Sequence, residues 1–253
     1  MYKKNELHFA LIWIAIYVIG MNIALQFCNG FDHLETKTPT QLLIPVIIII
    51  LIAIFSTKFI IQNNLQEKYG LINPKVNHKT YLYFIPLILM SCINLKNGLG
   101  LQAPIIQTIL MIINMAMAGY VEEIIFRGFL FRAMIKDNLN SAIIVSAVTF
   151  GVGHIVNLAN TEDTLGVLLQ VSYAIVIGFL YTIIAYKSKS IYPCIISHMF
   201  VNGTSVLSLQ EGPYTQLINQ LFNYPTPQFI QMTSAFLIIA ISGTCALWLW
   251  KKA

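Results

Sequence analysis

Eight apolar runs, most of them long enough to cross a lipid bilayer, leave this chain few folds to adopt. They cover approximately residues 8–28, 41–61, 80–95, 103–131, 141–160, 164–186, 190–209 and 228–250, and a spanning helix needs about 20 mainly apolar residues. Charged residues make up only 10% of the 253, against about 25% in a soluble domain, so no stretch reads as a separate soluble unit. In lipid the backbone must satisfy its own hydrogen bonds within each segment. The expected fold is therefore all-α: one polytopic membrane domain over 1–253, a bundle of about eight transmembrane helices. The third run is the weakest, being short and carrying Pro86. Pro104 and Pro193 stand near the starts of the fourth and seventh runs, where a missing backbone N–H does no harm.

The loops carry an independent signal, because cytoplasmic segments collect Lys and Arg. With the N-terminus inside and strict alternation, Lys3, Lys4, Lys58, Lys68, Lys75, Lys79, Arg132, Lys136, Lys187, Lys189, Lys251 and Lys252 fall inside, whereas Lys37 and Lys96 fall outside. Both termini are thus expected in the cytoplasm. The first run follows Lys3 and Lys4 but is long and lacks a small-x-small cleavage site, so it reads as a retained helix. The net charge of +5 is scattered in these loops and forms no basic face, which excludes a nucleic-acid partner. Cys28, Cys92, Cys194 and Cys245 stand far apart with no C-x-x-C pair, encoding neither a zinc knuckle nor a disulfide framework. His8, His33 and His78 are expected in solvated loops or helix ends, Met111, Met115 and Met117 against lipid or in packing, and Gln210 to Gln228 in an outside loop.

Chemistry concentrates where charge is least welcome. An ionisable side chain at the bilayer centre costs about 2.5–3.5 kcal/mol on insertion scales, so such residues face the bundle interior and mark function by default. Three sets qualify: Glu122, Glu123 and Arg127 on the fourth run, His154 on the fifth, and His198 with Asn202 on the seventh. Residues four apart share a helix face, which makes Glu123 and Arg127 the natural ion pair. Glu122 is turned about 100° away and is the candidate general base. His198 and Asn202, also four apart, outline an oxyanion-binding pair. Phe150 is placed to pack beside His154, and Gly151 and Gly153 to let a neighbouring helix come close. Counted from the cytoplasmic edges at 1.5 Å per residue, Glu122, His154, His198 and Asn202 lie roughly 15, 20, 13 and 19 Å deep. Taken singly each has a plainer explanation: an ion pair that only fixes packing, a histidine bonded to the next helix, an amide bridging two helices. A shared depth argues against four independent structural roles.

The ordered set Glu122-Glu123-x-x-x-Arg127, Phe150-x-x-x-His154 and His198-x-x-x-Asn202 on successive helices resembles the CAAX-protease and bacteriocin-processing family of intramembrane proteases, of type II CAAX prenyl endopeptidase kind. The resemblance covers about residues 100–210; the first three helices and the last carry no motif. It implies an intramembrane endopeptidase in which Glu122 and His154 activate the attacking water, His198 and Asn202 stabilise the oxyanion, and Glu123 with Arg127 support Glu122. In bacteria the family is linked with peptide (bacteriocin or pheromone) processing and with bacteriocin self-immunity. The implied partners are a peptide or lipid-anchored peptide substrate and membrane lipids, and the small size and Ile/Asn/Lys-rich usage point to a bacterial cytoplasmic membrane. The residues admit two forms of the chemistry. Glu122, His154 and His198 could hold a zinc ion with one water, or Glu122 could activate water with no metal; H-E-x-x-H is absent, and the metal-free form is the expectation. Two rival functions use the same residues: a non-proteolytic immunity or scaffold protein, and a proton- or ion-coupled transporter, the latter disfavoured by the lack of inverted repeats.

Overall fold

A computed structural model describes residues 4–30, 33–75 and 80–251. Lys3, His78, Lys79 and Lys252 lie outside the described residues. Among these residues regular structure is helical, apart from one isolated bridge between Leu99 and Ser208. Helix α1 (Glu6–Gln26) starts where the Asn5 side chain accepts from the His8 amide. Helix α2 (Pro39–Gln62) starts on a capping box formed by Thr38 and Gln41. A short α3 (Gln66–Tyr69) ends at Gly70, and α4 (Ile85–Ser91) lies between two 3₁₀ turns. Helix α5 (Ile105–Glu122) runs through a π turn (Glu123–Leu130) into α6 (Phe131–Met134) without a break. Helix α7 (Leu139–Gly153) tightens into a 3₁₀ stretch (His154–Ala159), followed by α8 (Thr164–Ser188), α9 (Tyr192–Ser205), α10 (Pro213–Phe222) and α11 (Pro227–Trp250).

Six helical segments are long and apolar enough to cross a membrane, beginning at Glu6, Pro39, Ile105, Leu139, Thr164 and Pro227. Six such helices stand where about eight full spans are expected. The third run supplies only the short apolar segment Leu82–Ser91, because Pro86 sits in the first turn of α4 and the backbone on either side is 3₁₀. The seventh supplies the 14 residues of α9, about 21 Å of rise against a hydrocarbon core of about 30 Å. Its last turn is polar, with the Ser205 hydroxyl bonded to the Asn202 carbonyl at 2.7 Å. The segment after α9 also departs from expectation. It is not simply a loop: Pro213 starts α10, and Asn97 pins that helix by accepting from the Thr215 amide at 2.9 Å.

The surface is inverted relative to a soluble protein. Ile16, Ile19 and Ile23 on α1, Ile47 and Phe55 on α2 and Phe236 on α11 are exposed, while Glu123 and Arg127 are fully buried. That distribution belongs to a multi-pass integral membrane protein, in which lipid takes the place of the apolar core.

Contacts sort the helix termini into two ends. At one end Glu6 meets Lys68 at 2.6 Å and Lys136 at 3.6 Å, the Arg132 guanidinium bonds the Ala185 carbonyl, and the Lys187 ammonium lies over Tyr83. At the other, Gln26 bonds Asn160 at 3.0 Å, Gln102 bonds the Ser208 carbonyl, and Gln231 bonds Asp163 at 2.9 Å. Lys and Arg crowd the first end; Lys37 and Lys96 stand at the second.

Glycines set the closest approaches. A Cβ at Gly119 of α5 would lie 3.0 Å from the His198 backbone of α9, and one at Gly178 of α8 would lie 3.0 Å from Ala147 of α7. At Gly151 it would meet Ile175 of α8 at 2.3 Å at its side chain and 2.6 Å at its amide nitrogen. The same expectation fails at Gly153, where nothing lies within 4 Å, because the chain there turns away into the 3₁₀ stretch beside a cavity. Gly151→Ala is accordingly expected to lower thermal stability by about 1–3 kcal/mol, and Gly153→Ala to change it by no more than about 0.5 kcal/mol, both read as unfolding transitions of purified protein in detergent.

Candidate active site

Glu122 and Glu123 straddle the point where α5 widens into the π turn, and the change of winding decides what each one meets. The Phe131 amide bonds the Phe126 carbonyl five residues back, and the Ser146 hydroxyl of α7 donates to that same carbonyl at 2.9 Å. The wide turn is thus held from outside as well as along its own ladder. Such π segments are uncommon and frequent at functional sites.

Glu123 lies among three helices. Its Oε1 accepts from Arg127 at 2.9 Å and from His198 Nδ1 at 2.8 Å. The expected Glu123 and Arg127 ion pair is therefore present, with both side chains fully buried. Arg127 also reaches the Gly178 carbonyl at 3.4 Å, and its guanidinium lies 4.3 Å from the centre of the Phe150 ring, a contact that a cation and an aromatic face find favourable. Phe150 in turn meets His154 edge-on at 5.0 Å and His198 at 5.7 Å. The packing of Phe150 beside His154 is as the spacing indicates.

Glu122 takes the other direction. Its Oε1 accepts from the Tyr17 hydroxyl of α1 at 2.5 Å, while Oε2 faces His198 Nε2 at 3.4 Å and has no hydrogen-bond partner. The hydrogen-bonding inventory fixes one proton. Arg127 is always cationic and an ionised Glu123 can only accept, so His198 carries a proton on Nδ1. The facing Nε2 and Oε2 then attract only if one of them is also protonated; two bare lone pairs would repel. His154 is simpler: Nδ1 is 3.0 Å from the Phe150 carbonyl, an acceptor, so Nδ1 is the donor and Nε2 of the neutral ring keeps its lone pair.

Glu122, His154 and Asn202 line one cavity of about 910 Å³. His198 is not among the residues that line it; it lies behind Glu122, whose Oε2 its Nε2 faces. Sequence reasoning thus names every residue of the charged cluster except Tyr17, which belongs to a helix with no motif. A tyrosine in an Ile-rich run gives no signal that it bonds a carboxylate 105 positions away. Of the methionines, Met111 is buried and Met117 packs on the core, as the packing half of the expectation has it; Met111 and Met115 also line this cavity, since the α5 face that carries Glu122 carries them too. The depths counted from the Lys-rich edges do not give the direction of access. The cavity runs to exposed loop residues Glu35, Glu162 and Gln210 at the opposite end, because depth says nothing about which way neighbouring helices splay.

The donor set does not form a metal cage. Among the described residues no group of three or more His, Cys, Asp or Glu is placed to hold a metal ion. Both ring nitrogens of His198 already face carboxylates, and one Glu122 oxygen is taken by Tyr17. Glu122, His154 and His198 therefore do not fit the zinc arrangement, and no step is routed through a metal.

A search of curated proteins finds no match to the chain. Residues 104–204 match the family model described as type II CAAX prenyl endopeptidase Rce1-like. That span runs from the start of α5 to the last turn of α9 and holds all the motif residues from Glu122 to Asn202. The stretch from Pro104 to Thr204 is thus similar to the Rce1-like family of type II CAAX prenyl endopeptidases, the group that its ordered motifs resemble.

Proposed function

We propose that this protein is an intramembrane endopeptidase in which Glu122 activates water against a peptide bond held in the cavity. The observation that carries this reading is the unpartnered Glu122 Oε2, buried at the cavity wall beside His198 Nε2. Hydrolysis then follows with no further group. Glu122 Oε2 takes a proton from water while His154 Nε2 accepts the other hydrogen and aims the oxygen lone pair at the carbonyl carbon. The carbonyl oxygen gains charge as the C–O bond forms, and the His198 Nε2–H and the Asn202 amide donate to it. Glu122 passes its proton to the departing nitrogen as the C–N bond breaks, leaving a carboxylic acid and a free amine. Tyr17 fixes the rotation of the Glu122 carboxylate, and Glu123, paired with Arg127, accepts from His198 Nδ1–H, so the Nε2–H that donates belongs to the doubly protonated ring.

Peptide entry lies at the end poor in Lys and Arg, which by the charge rule faces away from the cytoplasm. This suits a bacterial protein that trims short or lipid-anchored peptides at the cytoplasmic membrane, such as bacteriocins or pheromones, or one that confers immunity by cutting them. No metal takes part in this scheme, and a chelator is expected to leave cleavage intact.

The test is cleavage of a panel of fluorogenic peptides by purified full-length protein in nanodiscs. Glu122→Gln is expected to lower kcat by about 10²–10⁴-fold. Equal cleavage by wild type, Glu122→Gln and His198→Ala would sink the catalytic assignment and leave a binding or immunity role. Tyr17→Phe removes one hydrogen bond to a charged group, worth about 1.5–3 kcal/mol, and is expected to reduce kcat by about 10–100-fold with KM little changed. Arg127→Ala strands Glu123 in the bundle and is expected to cost about 3–5 kcal/mol of stability, measured by thermal unfolding, well before any question of turnover arises.

A further inference from the structure

The cavity wall has a chemical bias that the hydrolytic scheme does not use. Apart from Tyr17 and Tyr173, its ionisable lining consists of the carboxylates Glu35, Glu122, Glu162 and Asp163 and the imidazoles His33 and His154, with no Lys or Arg. This is unexpected for a chain with a net charge of +5. The two lysines at the same end of the bundle are turned elsewhere. Lys37 is buried with its ammonium on the Cys28 carbonyl at 2.7 Å and the Asn29 carbonyl at 3.2 Å. Lys96 lies over the Tyr214 ring, where burial pushes its pKa down.

Deeper in the wall a second, independent observation points the same way. Asn114 of α5 lines the cavity and is 2% exposed, yet its side-chain oxygen has no donor. A buried acceptor without a donor costs about 1–3 kcal/mol, a cost that a ligand bearing N–H groups would remove. At the mouth Asp163 is already committed, capping α8 through the Gly166 amide and accepting from Gln231. Glu35, by contrast, is more than half exposed and has His33 beside it at 3.4 Å. The passage therefore carries negative charge at its mouth and an unsatisfied acceptor further in. A cleft of one sign between low-dielectric walls focuses its field on whatever enters.

We infer that the peptides drawn into this cavity are cationic, with Lys, Arg or a free amino terminus that meets Glu35 and Glu162 at the mouth while a donor further along the chain reaches Asn114. This rests on the peptidase reading for its site but not for its test, since binding and cleavage are read separately. Charge attracts the peptide before any bond is broken, so selection acts on capture more than on the chemical step.

Three fluorescent peptides of one length and one apolar content would be compared, bearing Lys, Gln or Glu at the same positions. Each is titrated into wild-type protein in uncharged nanodiscs, and its integrity is checked afterwards by mass spectrometry. At about 0.01 M salt, where the Debye length is about 30 Å, the Lys peptide is expected to bind about tenfold more tightly than the Glu peptide. At about 1 M salt, where that length is about 3 Å, most of the difference should vanish. Glu35→Gln with Glu162→Gln should weaken the Lys peptide by about three- to tenfold and leave the Gln peptide unchanged. Asn114→Leu should weaken all three peptides alike. Equal affinity for the Lys and Glu peptides, or a preference untouched by salt and by the double variant, overturns the inference. Tight binding of the Lys peptide without any cleavage supports the inference while removing the peptidase function on which the site was first argued.

Discussion

Glu123 has no water to face. Its side chain is fully buried, and the cost of removing a carboxylate from water is several kcal/mol even after the protein relaxes. That cost is offset by Arg127 and His198 converging on one of its oxygens, and everything around the site follows from keeping the three together. Arg127 is among the largest fully buried side chains of the protein, and it needs the Phe150 face and the Gly178 carbonyl to accommodate a guanidinium away from solvent. Gly178 in turn must lack a Cβ because α8 lies against Ala147 of α7 there. The charged centre thus dictates small residues on helices that carry none of the charge.

The same dependence reaches α9. His198 can bring one nitrogen to each glutamate only if its helix touches α5, and Gly119 permits that touch one turn before Glu122. Glu122 is then left with one oxygen on Tyr17 and one directed at His198 and the cavity. A fully enclosed carboxylate and one that faces the cavity sit on adjacent residues because adjacent residues diverge around a helix axis. One anchors the bundle while the other lines the cavity.

Much of this was legible in the sequence because membrane burial makes charge informative. Glu123 and Arg127 at a spacing of four announce an ion pair, and in a bilayer that pair has few alternatives. The motif residues of α7 and α9 could be joined to them by depth and order. What could not be read depends on three-dimensional detail that periodicity does not carry. The π turn has no composition of its own; it is maintained by Ser146 reaching across from another helix. Tyr17 looks like any aromatic in an apolar run. Span counting failed for the third and seventh runs for a related reason. Hydropathy measures the length of an apolar stretch, whereas Pro86 and the polar last turn of α9 determine how much of it is straight helix.

The π turn ties the site to chain length. A turn closed by bonds five residues back holds one residue more than the α turn it replaces, so Glu123–Leu130 amounts to an insertion kept in helical form. Gain of one more residue there, where the wide turn already holds its extra one, would rotate all that follows by about 100° relative to what precedes it. Arg127 would leave Phe150 and Gly178 on one side while Glu122 stayed with Tyr17 on the other. Substitutions in this stretch can be absorbed by repacking, but a further insertion cannot, which makes residue count within the helix as strict a requirement as residue identity.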